Sequence, residues 1–239
     1  MTGLLHAQTV LVLGRGTGIA YATALTARDA GAKVIAAGPD EPALAAAYLG
    51  EPAISTESVD LTDDDSIGAL TERLGEIDHA VFTASARIRG RLPQLERAAL
   101  QRSFDSDVIG PLMVVEQLAS RMNEGGSFVL FSGVAAAKIS VGSLGVAVID
   151  GAVDVLVRSL ALELAPLRVN AVSPGVVDVD ARGALGEHAE TDYSADGSVR
   201  NPIRRIGTAA DVADAVLFAM TSAFLTGQTL HIDGGEPLT

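Results

Sequence analysis

The sequence predicts an α/β fold: one domain built on a doubly wound, seven-stranded parallel sheet with helices on both faces. Three observations carry this. Apolar runs of four to seven residues recur along the chain, each followed by a longer stretch with a 3.6-residue apolar period, as expected of strands buried on both faces and the helices that cover them. The length, 239 residues, suits one large α/β domain. No repeat or Pro-rich linker divides it.

Taken in order, the strands are expected at Thr9–Leu13, Lys33–Ala37, Glu57–Asp60, His79–Thr83, Ser127–Ser132, Arg168–Val172 and Thr229–Ile232. Helices are expected near Gly18–Ala30, Glu41–Tyr48, Asp63–Leu74, Leu95–Asn123 with a break, Gly145–Leu164 and Ala209–Thr221. Residues 178–201, rich in Gly, Ala and charge, fit neither pattern, and a loop this long in a compact domain reads as a substrate lid.

The first strand runs straight into Gly14-Arg15-Gly16-Thr17-Gly18-Ile19-Ala20 and then into a helix. Small residues let the backbone approach a pyrophosphate, and the free N–H groups of a helix start supply positive potential for it. An ordinary tight turn is the alternative, and the order strand, glycine turn, helix favours a dinucleotide cradle.

With these residues in view, the chain resembles the short-chain dehydrogenase/reductase family, whose fold is Rossmann-like. LGRGTGIA is similar to that family's T-G-x-x-x-G-I-G turn, with Ala20 in place of the last glycine, and Asp60-Leu61 resembles its adenine-contacting pair. The stretches RSLALELAPLRVNAVSPGVV (Arg158 to Val177) and LTGQTLHIDGG (Leu225 to Gly235) lie close to its consensus. The resemblance spans essentially the whole chain and implies cofactor contacts at Gly14, Arg15, Gly16, Gly18, Ile19, Gly38, Asp60, Leu61, Thr83, Ala84, Pro174, Gly175 and Val177. Members that prefer NAD end the second strand with an acid, where Gly38 stands here; members that prefer NADP often follow with arginine, where Pro39 stands. With no acid and one available cation, Arg15, the balance tilts toward NADP(H) over NAD(H).

The family's proton machinery is replaced. Its Asn, Ser, Tyr and Lys positions fall on Asp107, Gly133, Val146 and Asp150, and the Thr that holds the carboxamide becomes Val179. No shift of alignment restores the Tyr–Lys pair, because none of the three tyrosines, Tyr21, Tyr48 and Tyr193, precedes a lysine by four residues. Without a positioned phenol, reduction of a ketone loses general acid catalysis, a contribution of about 10²–10⁴. Exchange of a lysine for Asp150 makes the site acidic and suits an imine or iminium substrate, with Asp150 or Asp107 holding positive charge or relaying a proton. His188 and Tyr193, both in the 178–201 segment, are alternative acids, and histidine's pKa near 6.5 suits that role. Arg87 and Lys138 follow the fourth and fifth strands, where either can hold an anion; Ser132 is expected to point into the core, and Ser143 to lie nearer the pocket. A non-redox isomerase, dehydratase or cyclase using the same carboxylates, and a binding protein without chemistry, are the competing readings.

Composition narrows the partners. Seventeen Lys and Arg against thirty Asp and Glu give a net charge of −13, which opposes nucleic acid. No cysteine means no disulfide and no thiol nucleophile. Met1 to His6 lacks a basic region before an apolar run, and no uninterrupted 18-residue apolar stretch follows, so a cytoplasmic protein without membrane contact is expected. Gly145–Leu164 is apolar around much of its circumference, which predicts a homotetramer or homodimer acting on a small-molecule substrate.

Overall fold

The computed structural model describes residues 3–83, 88–178 and 201–239. Strands β1 (Thr9–Leu13), β2 (Lys33–Gly38), β3 (Ile54–Ser58), β4 (Ile77–Phe82), β5 (Met122–Phe131), β6 (Arg168–Pro174) and β9 (Thr229–Ile232) form one parallel sheet in the order β3-β2-β1-β4-β5-β6-β9. Two further two-residue strands, β7 (Val177–Asp178) and β8 (Gly207–Thr208), pair beside it. The chain winds outward from β1 in one direction and from β4 in the other, leaving a crevice between their carboxyl ends, where ligands bind in such sheets.

Alternation along the strands divides the core in two. Val10 and Val12 of β1, with Val34, Val81, Val129 and Val172, pack under α1 (Gly18–Asp29), α2 (Glu41–Ala47) and α7 (Ala209–Thr221). Leu11 and Leu13, with Ala80, Phe128, Leu130 and Ala171, pack under α3 (Asp64–Arg73), α5 (Gly110–Leu118) and α6 (Leu144–Glu163). No described helix is long and apolar enough to cross a membrane.

Three expected elements shift by more than two residues. The third strand begins at Ile54 and ends at Ser58, before Asp60: the Asp60 carboxylate accepts from Thr62 N and Oγ1 at 2.9 and 2.7 Å, which fixes a turn rather than a strand. The fifth strand starts five residues early, at Met122, because its pairing with β4 resumes across an irregularity between Ile77 and His79. The helix expected over Leu95–Asn123 divides into α4 (Arg97–Phe104), one π-helical turn over Asp105–Ile109, α5 and a short 3-10 turn, and Asn123 belongs to β5.

His79 lies at the amino end of the sheet, 2 % exposed, with Nδ1 2.8 Å from Ser127 Oγ and Nε2 3.3 Å from Gln8 Oε1. Burial, reinforced by the Arg168 charge and opposed by Asp78, pushes its pKa down to about 4. The folded chain therefore takes up this proton later than the unfolded chain, whose histidine titrates near 6.5. The resulting stabilisation, about 3 kcal/mol, is complete above that value and is lost as pH falls toward 4. Urea unfolding of wild type and His79→Gln between pH 7.5 and 4.5 is expected to show a shallower loss of stability in the variant; parallel curves would reject this account.

Candidate active site

The crevice is built from β1 upward. Gly14 closes the strand end: a Cβ there would fall 2.2 Å from Thr83 Oγ1 and 2.8 Å from Ala20 Cβ. Thr83 is itself tied down, its Oγ1 and N each donating to Leu13 O at 2.8 Å. Gly16 and Gly18 adopt φ of 68° and 53°, conformations that glycine alone takes at no steric cost. Gly16 rests on the helix layer, where a Cβ would meet Leu44 Cδ2 at 2.7 Å and Tyr48 Cε2 at 3.5 Å. Tyr48 stacks on Tyr21 with ring centroids 5.4 Å apart, and burial pushes its phenol above the usual tyrosine range, which makes it packing rather than an acid. Gly38 seats against the Gly14 carbonyl, 2.2 Å from an added Cβ, so an acid at this position requires the turn to move.

Helix α1 leaves its start open. Thr17, its N-cap, makes no side-chain capping bond and the first turn holds no acid. Asp40, Asp63 and Thr208 cap α2, α3 and α7, while α4 and α6 also start without a side-chain cap, so the glycines in front of α1 are what set it apart. A helix start without such a partner, fronted by glycines, fits a pyrophosphate. Ile19 is half-buried at its beginning, and Arg15 is exposed on the outer side of the turn. Asp60 is exposed beyond β3, and Leu61 is buried, its carbonyl 2.2 Å from a Cβ placed on Gly110. Gly175, after Pro174, packs so closely that a Cβ would lie 2.7 Å from Asp233 Cα, and Val177 begins the short β7.

The two carboxylates stand on elements that pack together. Asp150 is 5 % exposed and lies with Val146, Ile149, Val153 and Val157 on the face of α6 turned to the sheet. Ser132, itself buried at the end of β5, donates its hydroxyl to the Asp150 carbonyl at 3.1 Å. Gly133, where the family's serine was expected to fall, opens the 3-10 turn Val134–Ala136. Asp107 is half-buried on the π-turn, which packs against α6. The turn has a local cause: Pro111 has no N–H for the Asp107 carbonyl, and the Gly110 N–H reaches back to Asp105 O instead.

Lys138 Nζ donates to Glu236 O at 2.9 Å, tying the last residues to the loop after β5. Ser143 is buried and closes that loop on Ser140, its Oγ donating to the carbonyl at 2.7 Å and accepting from the N–H at 2.9 Å. Ala84, Arg87, Val179, His188 and Tyr193 lie outside the described residues, as does nearly all of the 178–201 segment. A cavity of about 370 Å³ beside the ends of β6 and β9 is lined by Asn201, Arg205, Asp211 and His231, and neither Asp107 nor Asp150 borders it. Sequence reasoning missed Ser106, next to Asp107, and the π-turn that carries both; Pro111, inside the expected helix, was the available signal.

Comparison with known proteins settles the kinship. A family model described as enoyl-(acyl carrier protein) reductase matches residues 14–236. The chain belongs to the short-chain dehydrogenase/reductase family. Within it, the chain is 32% identical to the short-chain dehydrogenase/reductase ATR9 of Stachybotrys chlorohalonatus, over 97% of both chains. It is 31% identical to cis-4-hydroxycyclohexanecarboxylate dehydrogenase of Sinomonas cyclohexanicum, over 95% of this chain and 96% of that one. Among solved structures, the MalC reductase/Diels-Alderase of Malbranchea aurantiaca superposes with a TM-score of 0.90 at 29% identity, covering 100% of this chain and 99% of the other. A small-chain dehydrogenase in complex with NADPH superposes with a TM-score of 0.82 at 26% identity, covering 98% and 100%.

Proposed function

We propose that this chain is an NAD(P)(H)-dependent oxidoreductase whose rebuilt active site reduces the carbon of an imine or iminium. The observation that carries the reading is Asp150, a buried carboxylate on the sheet-facing side of α6, with Val146 one turn before it where the family's phenol would stand. The open start of α1, the glycine seat and the kinship with a protein solved in complex with NADPH support a nucleotide cofactor. The absence of an acid at Gly38 and the presence of Arg15 favour NADP(H).

A dihydronicotinamide nucleotide held by the Gly14–Gly18 turn and the start of α1 would supply hydride to a C=N carbon, the π electrons of that bond passing to nitrogen. An iminium nitrogen thereby loses its positive charge and needs no proton. A neutral imine needs one, which Asp150 or Asp107 delivers to the nitrogen. Ionised carboxylates hold the cationic ground state of an iminium, whereas hydride addition to a ketone would develop an alkoxide's negative charge beside them.

Oxidation of NADPH followed at 340 nm with 2-methyl-1-pyrroline and with cyclohexanone tests this. Imine turnover with little or none for the ketone is expected. Ketone turnover that survives Asp150→Ala while the imine stays inert would overturn it, and nucleotide binding without turnover of either would favour a protein without redox chemistry. Similarity to a protein named reductase/Diels-Alderase gives a second reading, ring closure in the same pocket, which ligand-dependent product formation without NADPH oxidation would reveal.

We also assign a second copy of the chain to the outer side of α6, where Val148, Val155 and Leu162 recur every seven residues and are exposed. Light scattering at micromolar concentration is expected to give a dimer or tetramer mass; a monomer contradicts it.

A further inference from the structure

We propose that Ser106 is a positioning residue that aims the Asp107 carboxylate into the site, an inference that rests on the reading above that Asp107 faces a positively charged substrate. On an α-helix, neighbouring side chains do not face one another. Here they meet, because residues 105–109 form a π-turn, and Ser106 Oγ lies 2.5 Å from Asp107 Oδ1. The serine hydroxyl has a single proton and two acceptors in range. The Ser103 carbonyl, the partner a helical serine commonly takes, is at 3.4 Å. The carboxylate is almost an ångström closer, and a hydrogen bond to an ionised oxygen is both shorter and stronger. The proton therefore goes to Asp107.

Three features of the chain converge on this contact. Pro111 removes the α-helical bond to the Asp107 carbonyl, and Gly110 donates to Asp105 O instead. Gly110 has the room to do so because it carries no Cβ, which would lie 2.2 Å from Leu61 O and 2.8 Å from Asp105 O. The widened turn then brings Ser106 and Asp107 side by side on the segment packed against α6, the helix of Asp150. Ser106 fixes one carboxylate oxygen, so the group keeps one direction. An iminium loses its charge as hydride arrives, so Asp107 holds the ground state more strongly than the transition state. Loss of the serine should weaken substrate binding without slowing the chemical step.

Kinetics with NADPH and 2-methyl-1-pyrroline, and crystal structures of the same proteins, test the assignment. Ser106→Ala is expected to raise KM about tenfold with kcat unchanged or raised, and Ser106→Thr to restore wild-type KM. In the crystal of Ser106→Ala the Asp107 carboxylate is expected to leave its position or occupy two rotamers, and in Ser106→Thr to stay. An Asp107 unmoved in the alanine variant overturns the inference whether or not the imine is turned over. Asp107→Asn separates the two claims: if it lowers imine affinity and Ser106→Ala does not, the serine assignment fails alone, and if it has no effect the role of Asp107 fails with it.

Discussion

Replacing Asp150 by Asn is expected to lower kcat/KM for reduction of a cyclic imine by about 10²–10⁴-fold while leaving the affinity for NADPH within about twofold. Asn matches the shape of the buried side chain but carries neither charge nor a transferable proton. Asp150 is held firmly: it lies on the inner face of α6, and the Ser132 hydroxyl pins its carbonyl to the end of β5. A carboxylate so placed has a fixed relation to whatever lies over the sheet edge, which is what proton relay or charge stabilisation demands. Steady-state kinetics with calorimetric NADPH titration of both proteins decide the matter. Imine turnover that falls less than threefold in Asp150→Asn would remove Asp150 from the chemistry.

The second large effect is on stability. Arg168, 7 % exposed, donates to the carbonyls of Ala219, Met220 and Ser222 at 2.7, 2.5 and 3.0 Å, at the carboxyl end of α7. These groups have no intrahelical partners, and the guanidinium both satisfies them and answers the negative end of the helix dipole. Burial lowers its proton affinity without discharging it. Arg168→Ala takes the guanidinium from the Ala219 and Met220 carbonyls in a dry site, while Ser222 O keeps the Leu225 N–H, and is expected to cost about 3 kcal/mol. For a chain of this length that lowers Tm by about 10 °C. Arg168→Lys should recover part of the loss, since one ammonium reaches fewer of the carbonyls. Calorimetric unfolding of the three proteins tests this; an unchanged Tm in the alanine variant would show that α7 closes without the arginine.

Where local pattern and tertiary packing agree, the sequence was readable. Thr9–Leu13, Thr229–Ile232 and Ala209–Thr221 stand at their expected limits, since dense apolar runs or a capping box mark them. Ile54–Ser58 alternates weakly at the sheet edge, and the apolar Val59 beyond it drew the expected strand toward Asp60. The π-turn was legible only as a break, because its cause combines an N–H missing at Pro111 with space that Leu61 supplies from another element. Asp107 and Asp150 were singled out from the motifs that neighbour them in the sequence. Their burial, the serines beside them and the packing of the π-turn on α6 depend on contacts between distant segments, and no local pattern encodes those.

The account stands on the proposal that the glycine turn seats a nucleotide although Val146 and Asp150 stand where the family's phenol and ammonium are expected. Isothermal titration of NADPH into the wild-type protein and into Asp150→Asn tests it most directly. The predicted result is one nucleotide per chain, bound about equally well by both proteins. Absence of any heat with NADPH and NADH alike, or loss of binding in Asp150→Asn alone, would contradict it.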